Sequence, residues 1–350
     1  MQEYINIPKT ATTKARPIDG IQFDRLVMLA SIWYVGGLFL DGWAHNHGMV
    51  DQSFFTPWHA ILYSGYAVTA AVILGAVIRN LLAGHAGLEA IPAGYELSLL
   101  GIAIFAVGGV GDLIWHTLFG IEMDIAALLS PTHLILAIGL ALIITGPLRA
   151  AWRRADVLQG WAYQLPMILS LTSLLSLFTF FTQYANPIVH SIADTQAPDE
   201  VQSLGIVSIL FQTAIFTSLI LFAVRRWRFP LGAFALIIAI NDASSSILAD
   251  DSPVIYVAIL GAITGLIVDL LYHSLKHTAD GPDQLRLFAF AVPVILYSIY
   301  FIALSVLHTI TWSVHLWAGS VVLAGITGWL ISYLVMPPHT PDHILISRKD

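Results

Sequence analysis

Ten stretches of about twenty apolar residues, following one another from residue 24 to residue 335, constrain this chain more than any other feature. They run over 24–44, 57–79, 96–118, 131–149, 163–184, 203–224, 229–248, 253–273, 287–307 and 312–335. Such a stretch is long enough to cross the hydrocarbon core of a bilayer as a helix, the form in which a lipid-facing backbone satisfies its own hydrogen bonds. A membrane barrel would instead need short segments of alternating polarity, which these are not. The chain therefore reads as all-α, a polytopic transmembrane bundle of about ten helices. Only 11% of its residues are charged, against ~25% in soluble domains, and the mean hydropathy is +0.78. The partner implied is the lipid bilayer, and no nucleic-acid partner is expected.

Charge sets the expected orientation. All fifteen Lys and Arg fall on one side of the ten spans. Lys9, Lys14, Arg16 and Arg25 precede or open the first span, Arg79 ends the second, and Arg149, Arg153 and Arg154 follow the fourth. Arg225, Arg226 and Arg228 precede the seventh, Lys276 and Arg286 the ninth, and Arg348 and Lys349 close the chain. Basic loops stay in the cytoplasm, so both termini are expected there, in a multi-pass protein of the cell membrane. The opposite connections carry Asp51, Glu122, Asp124, Asp194, Asp199, Glu200, Asp250 and Asp251 and no Lys or Arg. With a net charge of −7, that outer face attracts cations and disfavours anions. Residues 1–20 form a polar cytoplasmic arm with no cleaved signal peptide, and 337–350 a cytoplasmic tail.

On the outer side a constellation recurs. Asp41 and His45 are four residues apart and share a helix face, a short loop follows, and Thr56-Pro57 precedes His59. Asp112 and His116 repeat the spacing, and Ser130-Pro131 precedes His133. Ser or Thr before Pro is a helix-start signal, which puts His59 and His133 in first turns pointing back at the preceding helix. Residues 21–150 thus read as a duplicated four-helix half, and 151–336 as a six-helix half without an obvious copy. Gly108, Gly109 and Gly111 would let a neighbour approach closely just before Asp112.

Two imidazoles and a carboxylate suit Cu(II), Zn(II), Fe(II) or Mn(II) and leave coordination positions open, as a catalytic centre requires. The chain has no cysteine, which excludes disulfides, thiolate metal sites and Cys-held iron–sulfur clusters. A plainer alternative is that each Asp pairs with its own His as buried hydrogen bonds. Against it, a helix N-terminus disfavours protonated His, so His59 and His133 should be neutral and able to ligate metal. His47, Asp51, Glu122, Asp242 and His315 are candidates for groups that orient the ligands or carry protons. Gln183, Asn186 and the serines at 244–246 read as interhelical hydrogen-bonding residues.

The sequence Asp41-x3-His45 with Phe55-Thr56-Pro57-x-His59 resembles a motif of the C subunit of the copper membrane monooxygenases, the particulate methane and ammonia monooxygenases. Asp112 to Thr117, Glu122 and Pro131-x-His133 resemble that subunit's second motif, with Asp112 where the family has Asn. The similarity covers residues of about 30–150. It implies copper held by Asp41, His45 and His59 at one centre and by Asp112, His116 and His133 at another, both towards the extracytoplasmic side. The expected function is a copper-dependent membrane oxidoreductase, a monooxygenase of small apolar substrates, with further subunits or a homo-oligomer as partners. The alternatives are a non-enzymatic copper store, sensor or uptake protein, and an intramembrane hydrolase using zinc, with iron as a further candidate metal. Uptake needs a polar path across the membrane, for which Asp269, Tyr272 and His273 are the inner-side candidates.

Overall fold

Every expected span lies on a helix, though the spans are not all alike. The computed structural model describes residues 17–49, 54–120, 124–154, 159–190, 193, 199–250, 253–275, 281–307 and 309–337. In chain order the helices are α1 Ile21–Asn46, α2 Pro57–Leu82, α3 Glu96–Phe119, α4 Asp124–Leu129, α5 Pro131–Ile144 and α6 Gly146–Arg153. They continue with α7 Trp161–Phe181, α8 Asp199–Val224, α9 Ala233–Leu248, α10 Val254–Ser274, α11 Pro282–Val306 and α12 Val314–Val335. Among the described residues there is no strand, and eight helices are long and apolar enough to cross a membrane. The chain is a polytopic helical bundle.

Two of the ten expected spans depart from a simple crossing. The fourth is broken into α5 and α6, which meet at 41°. Pro147 cannot donate to the helix ladder, and Gly146 packs where an added Cβ would lie 2.4 Å from the Tyr95 ring. The seventh is the 16-residue α9, about 24 Å long against a hydrocarbon core of about 30 Å. Pro230 and Gly232, the latter left-handed at φ 91°, delay its start to Ala233. Asp269 of α10 then accepts from the amides of Phe234 at 3.4 Å and Ala235 at 3.1 Å. Asp269 is thus committed to the α9 N-terminus, and Tyr272 to the backbone of Trp227 and Phe229.

The helices of the first half pack as two antiparallel hairpins, α1 with α2 and α3 with α5, around Tyr34, Ile73, Phe105 and Leu140. Glycine permits the close crossings. A Cβ on Gly65 would lie 2.6 Å from Tyr34 Cα, and one on Gly139 would lie 2.8 Å from the Phe105 nitrogen. Of the three glycines before Asp112, a Cβ on Gly108 would lie 3.0 Å from Leu136 and one on Gly109 3.0 Å from Tyr63, whereas one on Gly111 would make only ordinary contact. Hairpins α9–α10 and α11–α12 organise the second half, with α7 lying between the halves against α1, α5 and α9.

At the end of the bundle away from the Asp/His motifs, the arginines tie helices together. Arg154 pairs with the buried Asp24, which also accepts from the Tyr95 hydroxyl at 2.8 Å. Burial lowers the pKa of the Arg154 guanidinium, and nearby Asp19 opposes that shift. Arg153 pairs with Glu96, and Arg226 donates to the Trp152 carbonyl at 3.2 Å.

Candidate metal centres

Asp41 and His45 lie one turn apart at the end of α1, and the next helix starts as its sequence dictates. Thr56 caps α2 by accepting from the His59 amide at 3.1 Å, with Pro57 at the first helical position. Ser130 does the same for the His133 amide at 3.4 Å at the start of α5. Each cap aims its imidazole back at the preceding helix. Asp41, His45 and His59 form one group, and Asp112, His116 and His133 another, whose candidate ligand atoms lie within 4.8 Å of one another. All six residues are at least partly buried.

The hydrogen bonds fix which nitrogen faces inward. His59 Nδ1 donates to the Phe54 carbonyl at 2.6 Å, His116 Nδ1 to the Gly120 carbonyl at 3.1 Å, and His133 Nδ1 to the Ala127 carbonyl. A carbonyl only accepts, so each Nδ1 carries the proton and each Nε2 presents its lone pair. Those Nε2 atoms face carboxylate oxygens. His59 lies 3.5 Å from Asp41, and His116 and His133 lie 3.5 and 3.2 Å from Asp112. Two lone pairs at that separation in a buried site repel unless a cation lies between them or the imidazole takes a second proton. Donors about 2.0–2.1 Å from a tetrahedral ion stand about 3.3 Å apart, close to these separations. Both donor sets therefore fit a divalent metal ion.

The two centres open into one cavity of about 960 Å³, lined by Asp41, His45, His59, Asp112 and His133 among others. Phe54 bridges them, its ring centroid 5.1 Å from that of His59 and 6.1 Å from that of His116. Leu38, Leu62, Leu136 and Phe181 make the cavity wall largely apolar. Asp112 is held more firmly than Asp41. Thr132 donates to Asp112 Oδ1 at 2.9 Å, whereas Asp41 Oδ1 is buried without a hydrogen-bond partner.

Sequence reasoning missed two side chains and three backbone carbonyls of this site. Tyr63, four residues after His59, turns a buried hydroxyl with no hydrogen-bond partner towards the cavity, and its place on the ligand face of α2 was the available signal. Thr132 stood beside His133 in plain view. The orienting carbonyls of Phe54, Gly120 and Ala127 have no signature in sequence.

The five candidates for assisting roles lie in different places. His47 lines the cavity, but its Nδ1 donates to the Trp43 carbonyl at 2.8 Å and its Nε2 lies 3.5 Å from Asp250. Asp242 lines a different cavity in the second half, and His315 is exposed in the first turn of α12. Asp51 and Glu122 lie outside the described residues. Asn46 donates to Gln183 and to the Leu248 carbonyl, both at 2.8 Å, and so ties the cavity rim to the second half. Comparison of the chain with protein-family models, with curated proteins and with solved structures returns no match.

Proposed function

We propose that this protein is a copper-dependent membrane oxidoreductase related to the C subunit of the copper membrane monooxygenases, acting on small apolar substrates. The observation that carries the metal reading is the twice-repeated confrontation of Nε2 and carboxylate lone pairs in a buried site. Asp41, His45 and His59 hold one ion, and Asp112, His116 and His133 the other. All-nitrogen-and-oxygen ligation favours Cu(II) over Zn(II) in the general affinity order, and the motif resemblance points the same way. Bound copper would supply one-electron redox chemistry. The chain supplies ligand orientation through the Phe54, Gly120 and Ala127 carbonyls, and an apolar chamber open to both centres. The one-sided Lys and Arg support an orientation with the centres towards the extracytoplasmic side of the cell membrane.

Catalysis is favoured over uptake because, of the inner-side candidates for a polar path, Asp269 and Tyr272 are committed to the backbone around the start of α9, and His273 Nδ1 bonds to the Asp269 carbonyl of its own helix at 2.8 Å. The test is the metal content of gently purified protein, with electron paramagnetic resonance of the bound ions. Two coppers per chain are expected, and His45→Ala or His59→Ala should release one of them. Stoichiometric zinc would redirect the reading to hydrolysis. Metal-free protein, or variants with unchanged copper, would return both centres to hydrogen-bonded pairs.

A further inference from the structure

The second half of the chain holds a chamber of its own. It is enclosed by α7, α8, α9, α10 and α11 and has a volume of about 370 Å³, within the range of about 300–1,000 Å³ typical of small-molecule sites. Its wall is mainly apolar, with Phe216, Leu260 and Leu296 among the lining residues and the rings of Tyr256, Tyr297 and Tyr300 on the same wall. Two carboxylates line it, Asp250 with an exposed side chain and Asp242 deeper, against α10. Room for the Asp242 carboxylate is made by Gly261 of α10, since a Cβ there would lie 3.0 Å from Asp242 Oδ2.

Asp242 has no cationic partner among the described residues. Among the described residues no Lys, Arg or His lines the chamber, and Asp242 forms no ion pair. Its side-chain partner is the neighbouring Asn241. A carboxylate enclosed in a membrane bundle without a counter-charge is expensive to keep unless function requires it.

Several of the chamber's hydrogen-bond donors are committed elsewhere, while the buried Thr213 hydroxyl has no partner. Thr179 donates to Asn241 Oδ1 at 2.9 Å, and the Tyr297 hydroxyl to the Ile209 carbonyl at 3.2 Å. The Gln212 amide donates to the Ala185 carbonyl at 2.9 Å and to Thr182 at 3.0 Å. What these side chains have left to offer a guest is oxygen lone pairs. Such a lining is matched by a donor-rich cation with an apolar body, whose charge the carboxylate neutralises and whose flank packs against aromatic faces. A bare metal ion would leave the apolar wall unused, and an anion would meet Asp242.

We propose that this chamber binds an organic ammonium ion, a primary amine carried on a small apolar group, with Asp242 as its counter-ion. The ammonium group donates to Asp242 and to the lone pairs around it, and the apolar body lies along Leu260 and Leu296. Asp250 also lines the chamber, with its own side chain 86% exposed, so a carboxylate stands where an incoming cation is collected. The site is separate from both metal centres and does not depend on the metal reading.

The test uses the full chain in phosphatidylcholine nanodiscs, titrated with radiolabelled 2-phenylethylamine and with its neutral counterpart 2-phenylethanol; empty nanodiscs correct for partitioning into lipid. Saturable binding of one amine per chain is expected, with the alcohol at least tenfold weaker. Asp242→Asn should lose at least tenfold, and Ile299→Trp, which fills the chamber and keeps the carboxylate, should lose binding as well. Chelator-treated protein should bind equally, which separates this site from an amine ligating a metal. Uptake that only tracks lipid, equal binding of the alcohol, or unchanged binding in a folded Asp242→Asn would overturn the proposal. So would binding that vanishes with the metal. Should Asp242→Asn fail to fold, unchanged binding in Ile299→Trp is decisive against it.

Discussion

Thr132→Val should weaken metal binding at one centre and spare the other. The Thr132 hydroxyl donates to Asp112 Oδ1 at 2.9 Å, and both residues are buried, at 7% and 2% exposure. That bond turns the carboxylate towards His116 and His133. Valine keeps the shape of the side chain and removes the donor. Loss of a group that orients a metal ligand typically costs 10–100-fold in affinity, or about 1.4–2.7 kcal/mol. The fold itself should lose about 1.5–3 kcal/mol, the usual worth of a hydrogen bond to a charged group. The first centre has no equivalent bond, because Trp58 stands in the place of Thr132 and directs its indole to the Met49 carbonyl at 3.2 Å. The assay is equilibrium dialysis of copper-loaded protein against a graded chelator, with metal counted per chain. One of two release midpoints should move by 10–100-fold, the other should stay, and Thr132→Ser should restore the wild-type curve. Midpoints that move together, or a valine variant indistinguishable from wild type, would refute the claim that Thr132 holds Asp112 for a metal.

Gly65→Leu should destabilise the first hairpin by about 1–3 kcal/mol or more, because its Cβ would lie 2.6 Å from Tyr34 Cα and backbone cannot swing aside. Gly36→Ala, with nothing within 4 Å in the interior of α1, should leave the thermal midpoint in detergent no lower than wild type. Arg154→Ala should cost about 3 kcal/mol, because it strands the charge of Asp24, whose side chain is 1% exposed, and a midpoint equal to wild type would deny that pair a structural role. Reporter fusions at Gln196 and Ala155 should report the outside and the inside of the membrane respectively, and the reverse result would invert the orientation.

Apolar length and the recurrence of Asp-x3-His carried most of what was legible in sequence. Long apolar runs leave one kind of structure in a bilayer, so the helices could be located before any contact was known. The break at Thr145 and the short α9 were hidden because hydropathy averages over a window and overlooks Gly146-Pro147 and Pro230-Leu231-Gly232. Asp269 was harder. Its bonds to Phe234 and Ala235 span more than thirty residues, and only packing of α10 on α9 creates them. The assisting groups divided in the same way. Tyr63 follows from helical periodicity once His59 is placed, whereas Asp242 has no sequence neighbour that reveals which chamber it lines.

What recurs in the first half is a hairpin crossing together with its Asp/His/His group. Gly37 and Gly108 each stand four residues before the Asp of their repeat, and Gly65 and Gly139 each stand six residues after its second His. Their partners correspond as well, with Gly37 against Leu62 and Gly108 against Leu136, and Gly65 against Tyr34 and Gly139 against Phe105. The glycines set how closely the two helices of a hairpin approach within two turns of the ligands, and so fix the gap that His59 or His133 must close. The connecting loop is then free to vary. The stretch from His116 to His133 is three residues longer than that from His45 to His59 and contains α4, yet it still delivers a carbonyl, that of Ala127, to the Nδ1 of its imidazole as Phe54 does in the first. Imidazole orientation is thus common to both centres, while the hold on the carboxylate differs between them.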